Sequence, residues 1–111
     1  MNKQGYIYLL ENKIGNEKTY KIGYTKNLDK RLKQLETGNP GEMNIIKNFK
    51  TNWGYILEFS IHRFYNKNKI KNEWFNLSEE QVNNFILQCE ISENNIEMIK
   101  DNYFFKMKYK L

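Results

Sequence analysis

The sequence predicts an α+β fold: a small three-stranded antiparallel sheet flanked by helices, with a C-terminal extension of helix and strand character. Three observations predict it. Two tyrosine-bearing runs, "GYIYLL" at 5–10 and "YKIGYT" at 20–25, are separated by a polar stretch with turn chemistry at Gly15 and Asn16. A third apolar run, "MNIIKNF" at 43–49, follows the only proline. The segments between and beyond these runs carry apolar residues at helical spacing.

Residues 5–11 and 19–25 alternate weakly and are rich in Tyr, Ile and Leu, so they read as a hairpin joined through "NKIGNEK". Asn27 is a helix N-cap with Asp29 in the first turn, and Leu28, Leu32 and Leu35 recur at i, i+4 and i+7. "TGNPG" at 37–41 ends that helix. From Trp53 to Tyr65, the residues Trp53, Ile56, Leu57, Ile61 and Phe64 sweep one broad helical face, which implies a well-buried second helix. "NKNKIKN" at 66–72 reads as a solvated loop before a short extended piece, Glu73 to Phe75. Ser78 and Gln81 form a capping box, and Val82, Phe85, Ile86 and Cys89 give the inner stripe of the helix it starts. Residues 93–101 suit a short helix, and "FKMKYKL" at 105–111 alternates apolar with lysine as an edge strand or surface arm does.

The 111 residues suffice for one core, so the chain is expected to form one domain, 1–111, with the motif-bearing part at about 5–77 and an extension at 78–111. Neither a repeat nor a linker interrupts it. Apolar residues make up 40% and charged residues 28%, and no apolar run is long enough to span a bilayer, so no membrane partner is expected. The amino terminus lacks the apolar run of a secretory signal, and a single thiol excludes a disulfide within the chain. An intracellular, cytoplasmic setting follows as an expectation. The net charge of +5, carried almost wholly by lysine, favours polyanionic partners, nucleic acid first.

Side chains alternate along strands, which sets Tyr6, Tyr8 and Leu10 on one side of the first and Lys21 and Gly23 on one side of the second. Pairing brings Tyr8 and Lys21 onto a common surface beside a backbone that Gly23 leaves uncovered, open to a phosphate group. Arg31 lies ~60° from the Leu28 direction, at the border of the buried stripe, where its fork suits phosphate oxygens. The alternative is a surface arginine whose stem packs on the helix. Glu58 and His62, four apart on the second helix, combine a hard oxygen ligand for Mg²⁺ or Mn²⁺ with an imidazole able to take a proton near neutral pH, or are an ordinary helix pair. Zinc is disfavoured, because one His and one Cys do not supply its usual ligand set. Glu73, in "NEWF", is a further acid beside a loop.

The ordered set "YIYLLEN", "YKIGYTKNLDKRLKQL", "LEFSIHRF", "NEWFNL" resembles the GIY-YIG endonuclease superfamily, in particular a small phage and bacterial branch with Lys-Ile-Gly as its second motif. "YIY" at 6–8 stands for the first tripeptide and "KIG" at 21–23 for the second, with eight residues from Gly23 to Arg31. The resemblance covers about residues 5–77. It implies Tyr8 beside the attacking water as its proton acceptor, Arg31 on the scissile phosphate, and Glu58 as the carboxylate holding one Mg²⁺ or Mn²⁺ ion. Tyr6 and Gly23 would join Arg31 and Lys21 in binding the substrate, His62 would relay protons, and Glu73 matches a motif element without a defined role. Lysine at 21 departs from the superfamily's second tyrosine, and Tyr20 faces the opposite side.

The resemblance implies a metal-dependent endonuclease hydrolysing phosphodiester bonds in DNA, with nucleic acid as partner and a homodimer as one possible state. Two alternatives stand beside it: a nucleic-acid-binding module that has lost cleavage, with Lys21 as the lesion, and a regulatory protein using the cleft for a nucleotide or protein partner.

Overall fold

The computed structural model describes residues 4–111, so the first three positions of the expected 1–111 unit lie outside the described residues. Strands β1 (Gly5–Ile14) and β2 (Glu17–Thr25) form the expected hairpin. Its two-residue turn places Gly15 at φ 61, a left-handed backbone that a side chain resists. Strand β3 (Glu42–Thr51) pairs with the other edge of β1, with a bulge between Leu9 and Leu10.

The sheet has five strands in the order β3-β1-β2-β5-β4, all antiparallel, which corrects the expected three. The two additional strands, β4 (Lys69–Lys71) and β5 (Trp74–Phe75), are three and two residues long; β4 comes from the stretch read as a solvated loop, and β5 lies in the piece read as extended. A run that short and that rich in Asn and Lys has no period to detect. Asn72, at φ 53, makes the turn between them. Tertiary pairing stabilises them: Tyr20 lies opposite Phe75 and Lys21 opposite Trp74, and Phe75 is fully buried.

Both faces of the sheet are covered. Helix α1 (Leu28–Gly38), capped by the Asn27 side chain on Lys30 N, lays Leu28, Leu32 and Leu35 over Tyr8, Leu10 and Met43. On the other face, helix α2 (Gly54–Phe64) packs Leu57 and Ile61 against Ile7, Leu9 and Ile22. Strand alternation sorts β1 between the two cores, Ile7 and Leu9 to one and Tyr8 and Leu10 to the other.

The predicted capping box at Ser78 is present, but the helix it starts ends early. Helix α3 (Glu79–Asn83) stops at Asn84, and α4 (Phe85–Ile99) continues as a separate helix that absorbs most of the 93–101 segment. Cys89 is buried in the core as expected. The last segment is helix α5 (Tyr103–Tyr109), which corrects the strand-like expectation for 105–111. The Asn102 side chain accepts from Phe104 N and Phe105 N, and Phe105 meets Trp53 and, one turn on, Tyr109. A cap and an i,i+4 aromatic pair outweigh the alternation of apolar and lysine side chains. Among the described residues no helix is long and apolar enough to cross a membrane.

Candidate active site

Strand β2 changes character along its length. Strand β5 pairs with it at Tyr20 and Lys21, and Glu73 O accepts from Ile22 N at 3.1 Å. Beyond that point, among the described residues, no strand covers the edge from Gly23 to Thr25. There α1 from one face, α2 from the other and the β4–β5 turn bring side chains together. They line a cleft of about 540 Å³ that includes Tyr8, Arg31, Glu58, Glu73 and Tyr55.

Tyr8 forms the floor. It sits opposite Gly23 in the ladder, and its ring lies across that glycine so closely that any Cβ there would collide with the phenol. The glycine is thus required by close approach and not by a turn. Arg31 Nε donates to the Tyr8 hydroxyl at 3.2 Å, and its Nη1 reaches Gln34 Oε1 at 3.5 Å. Burial holds the Tyr8 phenol above its ordinary pKa despite the opposing effect of Arg31, so it is protonated at neutral pH with its own O–H available to donate. The hydrogen bond from Arg31 to Tyr8 raises the guanidinium further, and it is a permanent cation.

Opposite stands a group of three side chains that could hold a metal ion. Glu58, His62 and Glu73 each offer one ligand atom, all within 4.8 Å of one another. Burial, then the charge of Glu73 and a hydrogen bond to it, push the Glu58 carboxyl up to about 7, partly offset by a hydrogen bond from the Tyr24 backbone. Burial also acts on Glu73, but Lys21 overrides it: Nζ donates to Oε2 at 2.8 Å and holds that carboxyl below its ordinary range. Burial lowers the His62 pKa, so the ring is neutral at pH 7. Its Nε2 lies 2.8 Å from Ile22 O, an atom that only accepts, so Nε2 carries the proton and Nδ1 keeps its lone pair. Phe75 packs edge-on against the ring at 5.0 Å.

Of the expected residues, Tyr8, Arg31 and Glu58 line one cleft, together with Glu73. His62 lines an adjoining hollow with Glu58, Glu73 and Lys69. Gly23 shapes the floor through the space it leaves. Lys21 shares the Tyr8 face as expected but is buried, is neutralised by Glu73 and lies over the Trp74 ring at 5.4 Å. Tyr6, half-buried between Thr25 and Lys50, is not among the cleft residues. Sequence reasoning missed Tyr55, Gln34, Lys26 and Thr25 as cleft residues. Helical spacing marks two of them, since Gln34 is i+3 from Arg31 and Tyr55 is i−3 from Glu58.

Fold and cleft together define an α+β protein whose uncovered strand edge gathers a guanidinium, a phenol and a carboxylate–imidazole cluster. A model of the T5orf172 domain matches residues 5–90, and the chain belongs to that nuclease-related family. The match reaches past the 5–77 stretch that carries the motif resemblance and includes all of α3 and the start of α4. No curated protein and no solved structure matches the chain.

Proposed function

We propose that the chain is a GIY-YIG-type endonuclease that hydrolyses phosphodiester bonds in DNA with one divalent ion, Mg²⁺ or Mn²⁺. The observation that carries this reading is the convergence of Tyr8, Arg31 and Glu58, from β1, α1 and α2, on one cleft. The donor set suits a hard cation. Two carboxylates and a neutral imidazole lie within reach of one another, and Lys21 pairs with Glu73 and leaves Glu58 without an ion-pair partner among the described residues. Glu58 would be the principal ligand, with Glu73 and His62 near enough to join it. When bound, the ion supplies positive charge against a phosphate oxygen and the departing oxygen.

The chain's own groups supply the rest. Arg31, fixed through Nε on Tyr8, turns its remaining N–H donors to the phosphate and stabilises charge that grows in the transition state. Tyr8, a phenol in the resting site, orients the water or a phosphate oxygen through its O–H. The resemblance implies a different part for it, that of proton acceptor. The water proton passes to the neutral imidazole of His62, the relay role the resemblance implies for it. Lys21 acts from behind, holding Glu73 ionised.

The binding module without cleavage draws on one observation, the burial of Lys21 where the superfamily has a second tyrosine. Purified protein with labelled DNA and Mg²⁺ or Mn²⁺ separates the two. Metal-dependent cutting that is lost in Glu58→Ala and Arg31→Ala, with circular dichroism unchanged, supports the nuclease. Tight binding with no cutting under any divalent ion supports the module.

A further inference from the structure

Helix α2 carries two parallel rows of side chains. One row, Glu58 and His62, faces the cleft and the hollow that adjoins it. The next row, Tyr55, Phe59 and Arg63, repeats at i, i+4 and i+8 on the helix surface, and Tyr55 is 65% and Phe59 49% exposed. Tyr55 lines the cleft beside Arg31 and Glu58, and Phe59 lines both the adjoining hollow with Lys69 and a groove beyond it under α5. Among the described residues that line that groove the charged ones are Arg63 and Lys108, and none is an acid. Both cations lie over the Phe59 ring, Arg63 at 6.0 Å and Lys108 at 5.6 Å. Tyr55 is held edge-on against Tyr24 at 4.8 Å.

We infer that this row is a platform for single-stranded nucleic acid, leading a splayed strand from the α5 groove past Phe59 and Tyr55 into the cleft. It rests on the nuclease reading for its destination and deepens that reading by naming the substrate form. Two physical points carry it. Exposed aromatics flanked by cations suit an unpaired strand, since bases stack on aromatic rings while lysine and arginine meet phosphates. The spacing also discriminates: side chains four apart on a helix are about 6 Å apart along the axis, against the ~3.4 Å rise per nucleotide of stacked duplex. Bases inside a duplex keep their faces covered by neighbours, so such a row has nothing to stack on. A second copy of the chain is the less favoured occupant, because a twofold pairing of this groove sets Arg63 and Lys108 against themselves with no acid to meet them.

The test is fluorescence anisotropy in EDTA, where no cutting occurs, with a labelled mixed-sequence single strand and the same sequence as a blunt duplex. The intact chain is expected to bind the single strand more tightly. Phe59→Ala should weaken single-strand binding by about 5- to 150-fold, the range supplied by one base stacked on one aromatic ring, and leave duplex binding unchanged. Phe59→Trp should restore it. Arg63→Ala and Lys108→Ala should each lower the slope of log K against log salt by about 0.7 on the single strand. Duplex bound as tightly as single strand, or indifference of single-strand binding to Phe59→Ala, overturns the inference, as does a dimer in sedimentation that Phe59→Ala converts to monomer. The two proposals fail separately. Metal-dependent cutting of duplex without single-strand preference removes the platform and keeps the nuclease, whereas single-strand preference without cutting does the reverse.

Discussion

The two halves of strand β2 treat charge in opposite ways. At Tyr20 and Lys21 the edge is closed by β5, and the buried ammonium finds a carboxylate at 2.8 Å. At Gly23 to Thr25 the edge is open, and Glu58 faces Glu73 with a carboxyl pushed up to about 7. The closed half satisfies its ions within the protein, as burial demands. The open half leaves a guanidinium, a phenol O–H and a carboxylate cluster directed at a space that a phosphate and a cation can fill. The difference teaches that Lys21, although it occupies a motif position, has its charge met within the protein, whereas the groups proposed to act on a substrate lie where the strand edge opens.

The comparison breaks or holds on substitutions in each half. The largest expected effect is Arg31→Ala, which should lower the rate of metal-dependent cleavage by ~10²–10³ with little change in melting temperature, as loss of one transition-state donor does. A loss of that size from Lys21→Met at unchanged stability would move the boundary between scaffold and site. Lys21→Met should instead act on stability. It strands Glu73, and the cost in urea unfolding is expected at about 2–3 kcal/mol, below the value for a fully buried pair because Glu73 is partly exposed. Glu73→Gln added to it should recover part of the loss.

Gly23→Ala sharpens the contrast sterically. Its Cβ meets the Tyr8 ring and hydroxyl, so about 1–3 kcal/mol should be lost and the Arg31–Tyr8 bond displaced. Gly38→Ala, with nothing within 4 Å, is the neutral or mildly stabilising control. The smallest effect is the pH dependence of Glu58. Its folded carboxyl titrates at about 7 against an ordinary 4.5, so the folded chain binds that proton more tightly than the unfolded chain. The contribution to stability is full below about pH 4.5 and is lost as pH rises through 7. Glu58→Gln should therefore be more stable than the parent by about 1–2 kcal/mol at pH 8 in EDTA, after discounting for partial exposure, and equal to it near pH 4. A parent that gains stability relative to this variant between pH 5 and 8 contradicts the electrostatics described for the open half.

Much of this arrangement was legible in the residues. The β1–β2 hairpin, the face shared by Tyr8, Lys21 and Gly23, and the Leu28–Leu32–Leu35 stripe follow from periods of two and 3.6 that extend far enough to be seen. Strand β4 was not legible, because its three residues acquire strand geometry only by pairing with β5, and β5 was legible only as a short extended piece whose place in the sheet depends on pairing with Tyr20 and Lys21. Nor was the Lys21–Glu73 pair, whose members are 52 positions apart and meet only once that pairing forms. Tail alternation misled for a different reason. Asn102, Phe105 and Tyr109 hold α5 helical, and a local period of two carries little weight against a cap and aromatic packing. The row of Tyr55 and Phe59 escaped notice because exposed aromatics on a helix look the same in sequence as buried ones.

The most direct measurement is anomalous diffraction from crystals soaked in Mn²⁺. One peak is expected in the open half, within coordination distance of a Glu58 oxygen and near Glu73 and His62, with Lys21 still on Glu73. Coordinates that hold Mn²⁺ elsewhere, or none at saturating concentration with Glu58 in its present position, would contradict the account.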